Sequence, residues 1–259
     1  MPKYLLAVSV LPLVLLSALA QADVEVNVAP NSLLRLPTAT SILALDRLDI
    51  AESATLFVPP TVSEIRVGHL HMGRDAHISV APSAEPFRLE ARHAELETGS
   101  HINGRGASGS FEKPATPGRN LTIRLEQATI GALTIDVRGG IGRPGYQGLE
   151  GADGKQGGCM WGQAGRGYDG QNGGDGLAGA PGGQVRLEVP ASFAESAVTV
   201  KVDGGLGGAA GEAGKGGKGG ASKGCLVYRA DGAEPGRPGQ PGQPGSDGPA
   251  GSFSLIRIQ

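Results

Sequence analysis

An all-β framework bearing an intramolecular bundle of glycine helices, with little or no α-helix, is the fold this sequence predicts. Three observations predict it. Between residues 23 and 138 short alternating segments recur at spacings in the low twenties, Leu56 to Ile78 and Ile78 to Ile102 being 22 and 24 residues apart. From residue 139 onward glycine stands at every third place in four runs of about six triplets each, 139–157, 167–182, 205–220 and 236–251. Finally, "GRNLTIRLEQATIGALTIDVRGGIG" at 118–142 is mirrored without a gap, at an offset of 65, by "GQVRLEVPASFAESAVTVKVDGGLG" at 183–207.

Residues 1–22 have Lys3, an apolar run from Leu5 to Leu16, and small residues that place a cut near Ala20 or Ala22. That is the pattern of a cleavable secretory signal, so a secreted, periplasmic or cell-surface protein is expected, beginning near Asp23. No later apolar stretch is long enough for a transmembrane segment. The formal net charge of −2 gives no electrostatic case for nucleic acid. With 45 glycines among 259 residues and 4% aromatics, a core of large side chains would be thin.

In residues 23–138, segments such as "LDIAESATLFV" (48–58) and "LHMGRDAHISV" (70–80) each carry apolar residues, a turn-like patch, then an aliphatic or β-branched pair. A period in the low twenties suits a β-solenoid-like framework, in which one coil cannot bury its face alone and stacking supplies the core. An antiparallel β-sandwich is the alternative.

Glycine at every third place suits a left-handed extended helix of three residues per turn with one edge bare for another backbone. Short runs tied to strands at both ends point to helices of the same chain packed antiparallel, the polyglycine II arrangement, and hence to a monomer. The sequence reads as two long Gly-x-x hairpins, 139–182 and 205–251, separated by a β excursion at 184–203, with a terminal strand at 252–259. In run three the row 204, 207, 210, 213, 216, 219 holds only Gly and Ala beside the all-Gly row, so this run is expected inside the bundle. The other runs carry bulky rows, for example Arg143, Tyr146, Leu149 and Lys155, and are expected at the periphery. Cohesion must then come from backbone hydrogen bonds and Cα–H contacts.

The Gly-x-y runs, covering 139–251, resemble those of bacterial secreted collagen-like proteins. Hairpins of glycine helices on a β-framework resemble the polyglycine II bundles of the glycine-rich domain of Obg-type GTPases and of phage tail-fibre tip adhesins. No GxxxxGK followed by Ser or Thr occurs, so the first likeness implies no nucleotide hydrolysis.

Cys159 and Cys225 fall in corresponding loops at the far ends of the two hairpins, and in an exported chain such a pair reads as a disulfide. Trp161, Tyr168, Tyr228 and Arg229 lie beside them, residue types enriched at interaction hot spots; they read either as a binding tip or as a plug over the helix ends. At the 24-residue spacing His69 falls beside His93 and His71 beside Glu95, a set that could converge as N and O ligands of a metal such as zinc; surface histidines are the ordinary outcome. No nucleophile motif or HExxH is present, and "GRGASGS" lacks GxSxG spacing. The expectation is a non-enzymatic structural or adhesive protein of the matrix or cell surface, without a cofactor, that binds an extracellular or envelope glycan or protein. The alternative is a β-solenoid that cleaves or binds polysaccharide, with Asp46, Asp49, Glu52 or Glu90 as its carboxylates.

Overall fold

The computed structural model describes residues 24–159 and 162–258; the signal segment and Trp161 lie outside the described residues. The structure is nearly all β. Its strands are β1 Glu25–Val28, β2 Leu33–Arg35, β3 Ile42–Ile50, β4 Thr55–Val58, β5 Glu64–Met72, β6 His77–Val80, β7 Phe87–Asn103, β8 Leu121–Asp136, β9 Gln184–Pro190, β10 Val198–Lys201, β11 Lys223–Gly224, β12 Arg229–Ala230 and β13 Ser252–Ile258. One 3-10 turn, Glu195–Ala197, is the sole helical element among the described residues.

Eleven strands form one sheet in which every pairing is parallel, so the antiparallel sandwich does not hold. The order β1-β3-β5-β7-β6-β4-β2 climbs one ladder and descends the other through the long strand β7, so the sheet nearly closes around its core. Successive coils are offset as the sequence spacing predicts: Leu56 pairs with Ile78 and Ile78 with Ile102. Inward positions stack like on like, as in Leu48, Leu70 and Ala94 or Ile50, Met72 and Leu96, all buried. Each fully buried aliphatic side chain contributes about 1.5 to 3 kcal/mol relative to exposure. A thin coil therefore gains its stability from its neighbours above and below.

Two consecutive outward residues interrupt the in-out alternation at one level of four successive coils: Asp46-Arg47, Gly68-His69, Arg92-His93 and Glu126-Gln127. On the segment before this level the outward row Arg66, Glu90, Arg124, Glu188 alternates in charge through the register. Arg66 stands 3.6 Å from Glu90, and Arg124 3.5 Å from Glu188. Such a row holds register without adding apolar surface.

The β excursion expected at 184–203 is a coil of the framework: β9 pairs with β8, β10 with β8, and β13 with β9. The excursions are the glycine hairpins. They leave the same corner of successive coils, and a shorter one, 104–118, precedes them; its Gly106 and Gly109 donate to the carbonyls of Arg138 and Ile141 at the root of run one. The gapless offset of 65 holds for β10, where Val198 pairs with Leu133, but β9 is offset by 64, Val185 facing Leu121. At 65, Arg186 would face Leu121 and the buried set Val185, Leu187 and Val189 would turn outward. Side-chain alternation forbids that slip.

The strand ladder passes directly into the glycine segments. Beyond the pair Asp136 and Lys201, Val137 donates to Lys201, Gly139 to Asp203 and Gly142 to Leu206, so the hydrogen-bond period changes from two to three without a break. Run one then donates every third N–H to run three, from Gly145 to Ala209 through Gly154 to Lys218. Run three donates to run two from Gly205 to Gly220, and run four to run three from Gly236 to Gly248. Run two donates in two directions. Gly170, Gly173 and Gly176 bond to run four, while Gln171, Gly174 and Leu177 bond to run one. Run two thus exchanges hydrogen bonds with all three other runs, while its side chains at 168, 169, 171, 172, 175 and 177 stay exposed, as expected of a run at the periphery. One of its exposed rows adds a second set of bonds to run four: Asp169, Asn172 and Asp175 accept the N–H groups of Arg237, Gln240 and Gln243 at 2.7, 2.8 and 2.7 Å.

Candidate functional site

Cys159 and Cys225 are joined by a disulfide with their Cα atoms 5.6 Å apart, linking the end of run one to the loop after run three. β11 and β12 form a short antiparallel hairpin there, closed by the Cys225 N–H donating to the Tyr228 carbonyl. Leu226 and Val227 occupy the middle of this turn and are almost wholly exposed. The Tyr228 hydroxyl donates to the Cys159 carbonyl, and the Arg229 guanidinium donates to Ser222 Oγ at 2.9 Å. Of the expected binding set, then, Tyr228 and Arg229 lie at the tip and brace its hairpin. Tyr168 does not: its N–H bonds to Ala152, well down the shaft. Two residues that sequence reasoning passed over, Leu226 and Val227, are the apolar groups the tip presents. The signal was available, because a tight turn normally carries Gly, Asn, Asp or Pro rather than Leu-Val.

Reduction should matter to the whole hairpin pair. Closing the 66-residue separation contributes about 4 kcal/mol in the chain-entropy description. We expect Cys159→Ser with Cys225→Ser to lose about that much in denaturant titrations; a loss below about 1 kcal/mol would mean that the glycine segments hold the tip without the bond.

The histidine pairing foreseen from spacing is present, but the ligand set is not. His69 pairs with His93 and their rings stack, centroids 4.6 Å apart and 11° from parallel. His71, in register with Glu95, turns instead to Asp49, its Nδ1 2.8 Å from Oδ1, with Glu97 3.7 Å from Nε2. His69, His71, His93 and Glu95 therefore do not converge, and no group of three or more His, Cys, Asp or Glu among the described residues is gathered for a metal ion. Parallel in-register stacking makes identical rings lie face to face, which directs their nitrogens alongside one another rather than toward a common centre.

A second stack, His77 on His101 at 4.8 Å, carries a pH dependence. Burial lowers the His77 pKa from its ordinary 6.5, the neighbouring His101 lowers it further, and Asp75 opposes both. The folded form then binds fewer protons than the unfolded one between that lowered value and 6.5, so stability rises with pH across this window and is lost as pH falls through it. Thermal melts of the His77→Gln protein should show a flatter pH profile over the same window; an unchanged profile would assign the dependence elsewhere.

The four carboxylates considered for polysaccharide cleavage are each engaged locally. Asp46 accepts the Val24 N–H at 2.8 Å, Asp49 holds His71, Glu52 lies 3.6 Å from Arg74, and Glu90 pairs with Arg88.

Fold and tip together define a class of architecture: a parallel β framework that projects hydrogen-bonded glycine hairpins ending in a disulfide-closed apolar turn. No protein-family model, curated protein or solved structure matches the chain.

Proposed function

We propose that this is an exported, non-enzymatic structural or adhesive protein. In this reading a β-solenoid framework carries a polyglycine II bundle as a rigid stalk, in the manner of the collagen-like and tail-fibre-tip architectures it resembles, and presents the tip to an extracellular or envelope partner. The disulfide is compatible with such a compartment, and no helix among the described residues is long and apolar enough to cross a membrane. The observation that carries the proposal is the Leu226-Val227 turn. Two large apolar residues held in solvent by a disulfide and a hydrogen-bonded tyrosine do not serve packing within the chain, and a loop on a rigid support is a common place for recognition. A plug over the helix ends would bury them.

The test is Leu226→Ser with Val227→Ser. Attachment of the labelled protein to cells of the producing strain should fall at least tenfold with the melting temperature unchanged. Unchanged attachment would remove the tip as the binding element. The N–H of every third residue in each run finds its acceptor within the chain, so sedimentation equilibrium should give a monomer; an obligate trimer that dissociates only on unfolding would favour a collagen helix.

A further inference from the structure

The shaft has an asymmetric surface that the tip does not explain. Runs one and two are hydrogen-bonded to each other in antiparallel sense, the Tyr146 ring of run one lies over Gly174 of run two, and the neighbouring side chains of both runs are exposed, so the seam between them forms a shallow groove. Arg143, Tyr146 and Leu149 come from run one, and Tyr168, Gln171 and Leu177 from run two. Hydrogen bonds fix their levels: Leu177 beside Arg143, Gly174 beside Tyr146, Gln171 beside Leu149, and Tyr168 beside Ala152. At three residues per level, consecutive levels are about 9 Å apart, which puts Tyr146 and Tyr168 about 19 Å from each other along a straight line. Gly174 leaves room for the Tyr146 ring, which lies where its side chain would be.

Most of this side-chain surface faces solvent. Tyr146 is 57% exposed, Leu149 66% and Tyr168 68%. At the foot of the row Phe111, 67% exposed and carried at the turn of the short excursion, supports the Arg143 guanidinium with its carbon 5.0 Å from the ring centroid. Arg143 forms no ion pair among the described residues, and its Nε is buried without a hydrogen-bond partner. Run three turns a different row outward, Glu212, Lys215 and Lys218, and run four turns Arg237, Gln240 and Gln243. The aromatic character belongs to one edge only.

We infer that this groove binds a linear polysaccharide bearing carboxylates, with Tyr146 and Tyr168 as stacking platforms and Arg143 as the carboxylate partner. A thin, straight ligand fits a groove two chains wide whose platforms are spaced by a rigid three-residue repeat. The electron-rich face of an aromatic ring attracts the C–H face of a pyranose, and the amide of Gln171 between the platforms supplies donors and acceptors for hydroxyls. A guanidinium already oriented on a ring and lacking a counter-ion is preorganised for a planar carboxylate. A second copy of the chain fits less well, because the bare glycine edges able to receive bulky side chains are used inside the bundle. The inference concerns a different surface from the tip and stands even if the tip binds nothing.

Native gel electrophoresis through polygalacturonate, with neutral dextran as comparison, tests it. The wild-type protein should be retarded by polygalacturonate and not by dextran. Tyr146→Ala with Tyr168→Ala should raise the apparent dissociation constant at least tenfold, as should Arg143→Gln. Since Tyr146 rests on Gly174, its loss could loosen the shaft; Leu149→Glu, which alters only an exposed side chain, should abolish retardation without lowering the melting temperature. Leu226→Ser with Val227→Ser should leave retardation intact, which separates this surface from the tip. Absence of retardation by polygalacturonate, equal retardation by dextran, or unchanged binding in the Leu149→Glu protein would each overturn the assignment. So would self-association that the tyrosine substitutions remove.

Discussion

Replacing Gly211 with alanine should destabilise the protein by at least about 3 kcal/mol, the upper range for forcing extra volume into a packed interior, whereas Glu212→Ala, one residue away, should stay within about 0.5 kcal/mol. The two positions differ only in the direction they face. A Cβ on Gly211 would fall inside the radius of the Tyr146 carbonyl oxygen and 2.9 Å from the Gly174 nitrogen, both backbone atoms of neighbouring runs that cannot swing aside. The Gly211 N–H donates to Gly174 and its carbonyl accepts from Gly242. Separating the runs to admit a methyl group would therefore lengthen bonds to two partners at once, and hydrogen bonds left unmade in a buried place cost about 1 to 3 kcal/mol each. Gly214, bracketed by Leu149 and Gln171, should behave like Gly211. Glu212 points to solvent, and only its carbonyl is used, by Gly148. Equal effects at 211 and 212 in urea titrations would remove run three from the interior.

Much of this was legible because period is written into the chain. Spacings of 22 and 24 residues between Leu56, Ile78 and Ile102 are the offsets of the parallel ladders, since one coil of fixed perimeter needs a nearly fixed number of residues. The cysteine pair was legible for a similar reason: two hairpins of nearly equal length bring their turns to about the same height. What could not be read concerns places where two periods compete. The repeat at 65 aligned the longest stretch of similar letters, yet β9 sits at 64 because alternation in a strand outweighs likeness of sequence. That run two would bond to all three other runs was not readable either, because Asp169, Asn172 and Asp175 serve a neighbour's N–H groups as backbone carbonyls would, and nothing in the glycine period marks those side chains as acceptors. The groove between runs one and two was hidden for the same reason, since its two rows belong to segments whose levels only the hydrogen bonds fix.

The framework and the glycine hairpins are mechanically one object. Adjacent coils of a parallel sheet lie about 4.8 Å apart, which is also a spacing at which extended backbones can exchange hydrogen bonds. Hairpins that leave the same corner of consecutive coils are thus delivered side by side, already in register, as the unbroken path from the Asp136 and Lys201 pair to Gly142 and Leu206 shows. Association of the runs costs little loop-closure entropy once the coils have stacked. Stability of the shaft accordingly depends on the coils beneath it, and a defect at the corner should be felt along both.

Arg119 is the residue placed to reveal that dependence. It follows the short excursion, immediately before β8, and is fully buried. Its guanidinium donates to three carbonyls from earlier turns of the chain: Val62 at 2.9 Å, Ala81 at 3.2 Å and Glu85 at 2.9 Å, while it packs over the ring of Phe87. Burial lowers its pKa, with Glu85 opposing the shift, yet an arginine remains a cation and three oxygen dipoles stand in for a counter-ion. One side chain thereby ties the corner loops of successive coils where glycine-rich excursions interrupt them. Arg119→Met keeps length and apolar contact but leaves the buried Val62 and Ala81 carbonyls unpaired, and should cost about 3 kcal/mol or more. Arg119→Lys should recover little, because one ammonium cannot reproduce the spread of a planar fork. In hydrogen exchange the methionine variant should lose protection both in β7 and β8 and in the glycine segments rooted above them. Protection lost in the coils alone would show that the shaft stands independently of the corner, and a cost below about 1 kcal/mol would show that water readily replaces the guanidinium.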